Sequence, residues 1–292
     1  MQIIDAQSHV WDRDSKEYPW DPKFGAGAAT YASAAAHYRE MVPITPLASI
    51  EAMAAVKVDR AILVSPTLYG FDPKFALKAA ADHPGKFGVI AVFDPSAPNL
   101  TDLVSGWRKN PHALGLRIVV MSDSDSARLK DGLYNALLGE AEKSAVPICI
   151  FPPRYLEEIA WIPKAYPKLS LIIDHLGFPQ PPMLKPYPDP FERLPTLLSF
   201  AAFDNVSVKL TGVPTLSRQP FPYPDVWKPL HAIIDAFGLT RVMWGSDWTR
   251  VASVLSYAQG IDYVRGTNEL SSSDKEHILG KTAERVFRWS VH

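Results

Sequence analysis

Apolar residues gather in eight short runs along the chain, each followed by a turn signal or a polar loop. Such short bounded runs are typical of buried β-strands. The strands are nearly all apolar rather than alternating, which indicates that both faces of the sheet are covered. The predicted strands are Ile3–Ala6, Arg60–Ser65, Gly88–Phe93, Gly115–Val120, Pro147–Phe151, Ser170–Asp174, Asn205–Leu210 and Arg241–Gly245.

Helical patterns occupy most of the intervals between these runs. Strands that alternate with helices pair in parallel, and eight such units close most naturally into a barrel. We therefore predict the α/β class and a single (β/α)8 TIM barrel, counted as one domain over residues 1–292 because no composition break or flexible linker divides it. The predicted helices are Pro46–Val56, Pro73–Asp82, Asn99–Lys109, Gly132–Ser144, Leu156–Ala165, Pro190–Phe203 and Trp227–Phe237.

Several segments stand outside this alternation. We expect Trp11–Thr45 and the proline-rich loops Phe178–Pro190 and Pro214–Pro229 to lie at the C-terminal mouth of the barrel, since prolines stiffen long loops. A terminal amphipathic helix or helix pair is predicted from Ser273 onward, with Ser273 as its capping residue.

The composition of the chain limits the kinds of molecule that we expect it to bind. Hydrophobic residues make up 47% of the 292 residues and charged residues 21%, and the net charge of −1 gives no case for nucleic acid or an anionic membrane. We expect a small-molecule substrate and leave homo-oligomerisation open. The single cysteine, Cys149, excludes an internal disulfide, and the absence of a leader or a bilayer-length apolar stretch favours the cytoplasm.

Ionisable side chains concentrate where the predicted strands end. In a (β/α)8 barrel the C-terminal strand ends and the loops after them face the active site. The positions concerned are Gln7, Ser8, His9, Thr67, Tyr69, Asp94, Arg117, Phe151, Arg154, Asp174, His175, Lys209, Thr211, Ser246 and Asp247.

Three of these residues, His9, His175 and Asp247, form the candidate catalytic centre. Histidines and an acid at three strand ends of one rim are hard to explain by packing alone. Each has a plainer alternative when taken singly: either histidine could be a satisfied core residue, and Asp247 could cap the helix that follows.

Three cations surround this candidate centre. Arg117 follows a glycine inside an apolar strand, which favours a role below solvent level. Lys209 lies within another apolar strand, where the barrel mouth is a less costly place for an ammonium group than the layer between barrel and helices. Arg154, like Tyr69, could also be an ordinary loop residue.

Five motifs together resemble the amidohydrolase superfamily, and within it the branch of L-fuconolactonase and 2-pyrone-4,6-dicarboxylate lactonase. The likeness extends from the first strand to the terminal helix and implies a hydrolytic barrel. The motifs are Ile4-Asp5-Ala6-Gln7-Ser8-His9-Val10-Trp11, Gly115-Leu116-Arg117, Asp174-His175-Leu176-Gly177, Val208-Lys209-Leu210-Thr211-Gly212 and Trp244-Gly245-Ser246-Asp247-Trp248.

Two departures from the family pattern bear on the metal that many superfamily members hold. Gln7 stands where the family's first histidine is usual, and Phe151 ends the strand that often supplies another ligand. Since a divalent site normally needs about three or four protein ligands, we predict no metal cofactor. The alternative is one zinc or manganese ion at His9, His175 and Asp247.

The resemblance implies opening of a sugar-acid or carboxylated lactone by water. Asp247 is the expected general base, with His9, His175 and Arg117 stabilising the oxyanion in place of a metal. The residues expected to bind substrate are Arg154, Lys209, Tyr69 and Gln7. Two alternatives stay open: a metal-dependent decarboxylase of an unsaturated or aromatic acid, and a catalytically inactive barrel.

Overall fold

Eight parallel strands follow one another around the computed structural model, which describes residues 1–24 and 29–290. Each strand pairs in parallel with the next along the chain, as the repeated crossover helices require. The predicted (β/α)8 barrel and its eight strands are confirmed, whereas the count of one domain stays a prediction. The strands are β1 (Ile4–Ser8), β2 (Arg60–Val64), β3 (Phe87–Ala91), β4 (Ala113–Val119), β5 (Ile148–Phe151), β6 (Leu171–Ile173), β7 (Val206–Lys209) and β8 (Val242–Met243).

The first and last strands meet at a seam that completes the barrel. The backbone N–H of Ala6 donates to the Trp244 carbonyl at 3.2 Å, and that of Asp247 donates to the Gln7 carbonyl at 2.9 Å. These bonds bring the residues after β1 and those after β8 side by side. Gly245 permits the close approach, because a Cβ there would lie 2.9 Å from the Cβ of Gln7.

Thirteen helices are present in the described part of the chain, most of them outside the barrel. Their bounds are α1 (Ala29–Glu40), α2 (Pro46–Ala55), α3 (Lys74–Asp82), α4 (Leu100–Trp107), α5 (Asp123–Lys130), α6 (Asn135–Lys143), α7 (Ile162–Ala165), α8 (Leu194–Ser199), α9 (Trp227–Phe237), α10 (Trp248–Val251), α11 (Tyr257–Arg265), α12 (Ser272–Glu276) and α13 (Thr282–Phe287). A π-helical turn, His277–Lys281, joins α12 to α13.

Differences from the predicted helices have local causes. The predicted helix Leu156–Ala165 breaks in two before Pro163. Helix α8 is shorter than expected because it begins only at Leu194, with Pro195 in its first turn. Proline suits a first helical turn and not an interior. The helices α1, α5 and α11 were not predicted. The terminal pair is confirmed, but its cap is Ser271 rather than Ser273, in a capping box with Asp274.

The core has two layers divided by the sheet. Inside the barrel, residues such as Ile62, Cys149 and Met243 pack with Phe287 of α13, which closes the N-terminal end of the barrel. Outside it, the alternate strand residues pack against the helices. Arg117 pairs in register with Cys149 and so faces the interior, which places its charge inside the barrel rather than among the helices.

Segments predicted to lie at the barrel mouth do so where they are described. In Trp11–Thr45 the ring of Trp11 packs edge-on against Tyr38, and Tyr38 reaches the cavity described below; residues 25–28 lie outside the described residues. Loop Phe178–Pro190 also lines that cavity, and Arg218 of the second proline-rich loop donates to the Pro188 carbonyl. No helix in the described ranges is long and apolar enough to cross a membrane.

Candidate active site

The three residues of the candidate centre converge at the C-terminal mouth. Nε2 of His9 lies 3.3 Å from Oδ1 of Asp247, and Nδ1 of His175 lies 3.8 Å from Oδ2 of the same carboxylate. They line one cavity together with Arg117. The ends of β1, β4, β6 and β8 thus place two imidazoles, a carboxylate and a guanidinium around one space.

Two of the side chains that line the cavity belong to residues with a left-handed backbone conformation. Asp247 has φ of 49° and His175 has φ of 56°, followed by Leu176 at 60°. Residues other than glycine rarely adopt such angles, and when they do they cluster at functional sites because the surrounding structure holds them there. The geometry therefore supports a functional rather than a packing role for His175 and Asp247.

Asp247 does not cap the helix that follows it. Although α10 begins at Trp248, the Asp247 side chain accepts no hydrogen bond from the backbone of that helix. Its Oδ2 instead accepts from Nε of Arg250, one turn further on. Burial alone would raise the pKa of Asp247, but the charge of Arg250 and the hydrogen bond from His9 outweigh it and hold that pKa well below its ordinary value.

Hydrogen-bond partners fix the proton positions on both imidazoles. Nδ1 of His9 must donate, because the Val64 carbonyl at 2.7 Å can only accept. The second ring nitrogen of His9, Nε2, faces Oδ1 of Asp247 at 3.3 Å. In His175, Nε2 faces the guanidinium of Arg117 at 3.4 Å and must accept, which leaves the proton on Nδ1 toward Asp247. Burial lowers the pKa of His175 to about 3, so this ring is neutral near pH 7.

Beneath the cavity lies a buried polar layer formed by Asp174, Lys209 and Gln7. Asp174 accepts from Nε of Arg117 at 2.8 Å, and Nζ of Lys209 lies 3.0 Å from its other oxygen. Lys209 also donates to Oε1 of Gln7 at 2.9 Å. Burial would raise the pKa of Asp174, but Lys209 and Arg117 together lower it. The layer fixes the plane of the Arg117 guanidinium from below.

Four residues predicted to bind substrate do not line the cavity. Gln7 and Lys209 are fully buried and face each other in the polar layer. The hydroxyl of Tyr69 accepts from the backbone of Asp12, and its ring stacks on Phe75. Arg154 is exposed on its loop, where it donates to the Lys185 carbonyl at 2.6 Å. The placement gives none of them a contact with a molecule in the cavity.

Sequence reasoning missed three polar residues that line the cavity: Tyr38, Gln180 and Arg250. Arg250 had a usable signal, because a cation three residues after a buried acid at a helix start lies one turn away from it. Gln180 and Tyr38 lie in irregular or alanine-rich segments without a periodic pattern. Their approach to the cavity depends on loop paths that the local sequence does not specify.

The Asp247 loop is also held from behind by Asp5, which the sequence marked only as part of a motif. The Asp5 carboxylate accepts from the Ser246 backbone at 2.7 Å, the Ser246 hydroxyl, and the Tyr257 hydroxyl at 2.8 Å. Burial raises the pKa of Asp5 to about 6, against the effect of these donors. The ring of Tyr257 stacks on Trp248, so Asp5 ties the strand-end loop to α11.

The donor set does not fit a divalent metal held by three or more protein ligands. Nε2 of His9 and Oδ1 of Asp247 are close together, but Nδ1 of His175 carries a proton, and Oε1 of Gln7 already accepts from Lys209. A cation, Arg250, already lies on the second oxygen of Asp247. Among the described residues, no group of three or more histidine, cysteine, aspartate or glutamate side chains is arranged to hold a metal.

A substitution at Arg154 tests the placement of that residue. Because Arg154 contacts Lys185 and the ring of Tyr187 rather than the cavity, we expect Arg154→Met to leave both kcat and KM within about two-fold of the parent. Steady-state kinetics on the folded variant measure this. A rise in KM at constant kcat would instead restore the role in substrate binding predicted from the sequence.

A closed parallel barrel with paired imidazoles, an ionised carboxylate and a guanidinium at its C-terminal rim defines a barrel enzyme of the hydrolase class. The chain belongs to the Amidohydrolase family, whose model matches residues 4–289. The resemblance on the five sequence motifs is thereby confirmed.

The relatives described here align with more than two thirds of the chain, and some with nearly all of it. An L-fucono-1,5-lactonase of Burkholderia multivorans is 27% identical over 304 residues, which span 97% of this chain and 95% of the relative. A 4-sulfomuconolactone hydrolase of Hydrogenophaga intermedia is 26% identical over 206 residues, 68% of this chain and 63% of the relative. The crystal structure of an amidohydrolase from Burkholderia multivorans with bound zinc superposes with a TM-score of 0.79 at 23% identity, covering 99% and 100% of the two chains.

Proposed function

We propose that this enzyme hydrolyses a lactone by attack of water on the ring carbonyl. The observation on which this rests is the contact of Asp247 with His9 and His175 beside Arg117 in one cavity. Two of the relatives described above, the L-fucono-1,5-lactonase and the 4-sulfomuconolactone hydrolase, are named for the opening of lactones. The family and the site chemistry therefore support the same class of reaction.

The general base in this proposal is the pair formed by Asp247 and His9. A carboxylate whose pKa is far below its ordinary value is always ionised near pH 7 but is a weak proton acceptor. Nε2 of His9, 3.3 Å from Oδ1, can share the proton that the attacking water gives up. The water oxygen bonds to the carbonyl carbon, the ring C–O bond breaks, and the leaving oxygen takes the proton back.

Arg117 and His175 stabilise the oxyanion in this proposal. The Arg117 guanidinium lines the cavity while its Nε is fixed on Asp174, so its charge is oriented before the substrate binds. Nδ1 of His175 carries a proton, and its neutral ring can donate without competing for the proton of the water. Preorganised donors of this kind stabilise charge that develops in the transition state.

The reaction in this proposal needs no metal ion. The cation beside Asp247 is Arg250, and Arg117 supplies positive charge toward the substrate. We expect treatment with a chelator to leave kcat within a few-fold of its starting value, and elemental analysis to find less than one zinc or manganese per chain. Loss of activity on chelation that is reversed by added zinc would contradict the metal-free reaction while leaving lactone hydrolysis in place.

Incubation of the purified enzyme with a panel of five- and six-membered lactones, followed with a pH indicator, tests the proposed function. We expect acid release above the uncatalysed rate for at least one lactone. An Asp247→Asn preparation made in parallel identifies any contaminating esterase. Failure with every lactone, or carbon dioxide release from an aromatic acid, would overturn the proposal; the second outcome would favour the decarboxylase alternative.

We also propose a cytoplasmic location, which the single buried cysteine supports because the chain needs no disulfide to form. Whether the enzyme forms a homo-oligomer stays open. Fractionation of cells that express the native gene, with a cytoplasmic marker enzyme as reference, measures the location. Recovery in an extracytoplasmic fraction would contradict it.

A further inference from the structure

We propose that the cavity selects lactones bearing an apolar alkyl or aryl substituent, rather than a polyhydroxylated sugar lactone or one with a free carboxylate. This inference rests on the proposed function, since it names the substrate class of the same site. Two properties of the cavity support it: an apolar wall, and the commitment of its charged groups to one another.

The apolar wall is formed by Val119, Phe151, Met183 and Leu184. Val119 and Phe151 are register partners in β4 and β5, so their side chains lie side by side on the interior face. The Phe151 ring is fixed, with its centroid 4.7 Å from that of His175 and 5.1 Å from Cζ of Arg117. Leu184 is held by the hydrogen bond of its backbone N–H to the Gln180 carbonyl at 3.0 Å. A substituent beside the reacting carbonyl would contact this wall.

Charged groups in the cavity are already paired. Arg117 donates to Asp174, and Arg250 donates to Asp247 and, at 2.6 Å, to the Pro181 carbonyl. A substrate carboxylate that approached either guanidinium would have to share it with a buried aspartate of the enzyme. Arg250 therefore adds little net positive charge for binding an anion, because Asp247 cancels most of it at short range. Arg117 is directed at the oxyanion of the proposed reaction, and a substrate carboxylate on it would compete with that role.

Gln180 and one ring nitrogen of His9 are similarly occupied. Nε2 of Gln180 donates to the Thr211 carbonyl at 2.9 Å, and its Oε1 accepts from Arg250 at 3.1 Å. Nδ1 of His9 donates to Val64. Besides the groups that the reaction itself uses, Tyr38 and Thr67 bring hydroxyls to the cavity. Sugar hydroxyls placed against the apolar wall would nevertheless lose water without gaining partners there.

This substrate class differs from the sugar-acid or carboxylated lactone expected from the sequence. That expectation required Arg154, Lys209 and Tyr69 to bind carboxylate or hydroxyl groups. In the structure, Lys209 lies in the polar layer below the cavity, while Tyr69 and Arg154 contact other parts of the chain. The contacts expected from these three residues are therefore not available to a substrate in the cavity.

Three six-membered lactones that differ in one substituent provide the test: one with a pentyl chain, one with a carboxylate and one with ring hydroxyls. We expect kcat/KM for the pentyl lactone to exceed both others by at least about ten-fold, within the range that a hydrophobic pocket discriminates. Equal or faster hydrolysis of the carboxylated or hydroxylated lactone would overturn the inference.

Lactams that carry the same substituents test the substrate class separately from the reaction. They suit a binding experiment because this chemistry hydrolyses lactams far more slowly than lactones. Calorimetry on the Asp247→Asn enzyme should give a Kd at least about ten-fold lower for the pentyl lactam than for the hydroxylated lactam. If the pentyl lactam binds more tightly but no lactone is opened, the proposed function fails and the apolar substrate class stands. If the hydroxylated lactam binds as tightly, the apolar class fails whatever the turnover.

Two leucine variants test whether the apolar wall causes the preference for an apolar substituent. Leu184→Asn places an amide in the apolar wall and should reduce the ratio of kcat/KM for the pentyl lactone to that for the unsubstituted lactone by about ten-fold. Leu103→Asn, on the outer helix α4 and away from the cavity, is the matched control and should leave the ratio unchanged. An unchanged ratio in the Leu184 variant would remove the wall from substrate selection.

Discussion

Replacement of Asp247 by asparagine is expected to lower kcat by about a hundred- to ten-thousand-fold, the usual effect of removing a general base. The amide keeps the size of the side chain and can still accept from Arg250, but it cannot take a proton from water or pair as an anion with His9. The change also breaks a buried ion pair, so the thermal midpoint should fall. Turnover is therefore measured per folded molecule, with folding followed by circular dichroism on the same preparation.

Asp94→Asn is the matched control for this experiment. Asp94 also follows a strand, β3, but its carboxylate accepts from the backbone of Ser96 and does not line the cavity. We expect kcat close to that of the parent. If the Asp247 variant turned over a lactone near the parental rate in its folded fraction, Asp247 would have no part in the reaction, and the proposed mechanism would have to be abandoned.

Substitution of Arg117 by methionine is expected to reduce kcat by roughly a hundred- to a thousand-fold, the effect typical of losing one oxyanion donor. The loss also removes the partner that holds Nε2 of His175 as an acceptor. Asp174 keeps Lys209 at 3.0 Å, so no buried carboxylate is left without a cation and the variant should fold. Steady-state kinetics with a lactone from the panel give the result.

Arg60→Met provides the control for a buried arginine on a strand. Arg60 lies on β2, where it packs on Trp289 and contacts Glu284 of the terminal helix, outside the set of residues that line the cavity. The two variants should change different properties. Arg60→Met should lower the thermal midpoint with near-normal kcat, whereas Arg117→Met should lower kcat. Similar losses of kcat in both would show that Arg117 acts through the stability of the barrel alone.

The barrel could be predicted from sequence because strand and helix patterns are local. Eight apolar runs with a helix between most of them allow few arrangements, and the observed strands overlap all eight predicted ones. Helix bounds were less certain where prolines interrupted a favourable pattern, as at Pro163. Helix α5 is largely polar and gave no apolar period, whereas α11 opens with a capping box at Ser256 and Gln259 that could have revealed it.

The candidate site was predictable only where a strand end determines it. His9, Arg117, His175 and Asp247 follow or occupy strands, so the fold alone brings them together. For the other predicted site residues, the direction of the side chain determined whether it reaches the cavity. Gln7 and Lys209 were assigned to the substrate but lie beneath the cavity. Arg250 and Gln180 reach it from a helical turn and a loop whose positions depend on tertiary contacts.

The seam between β1 and β8 has a consequence for how the enzyme acquires activity during its synthesis. His9 leaves the ribosome 238 positions before Asp247, and the two meet only when Asp247 donates its backbone N–H to Gln7. Contacts so distant in sequence form late and slowly. A nascent or truncated chain can therefore hold most of the strands and still lack the base, so that catalysis begins only with the final closure of the barrel.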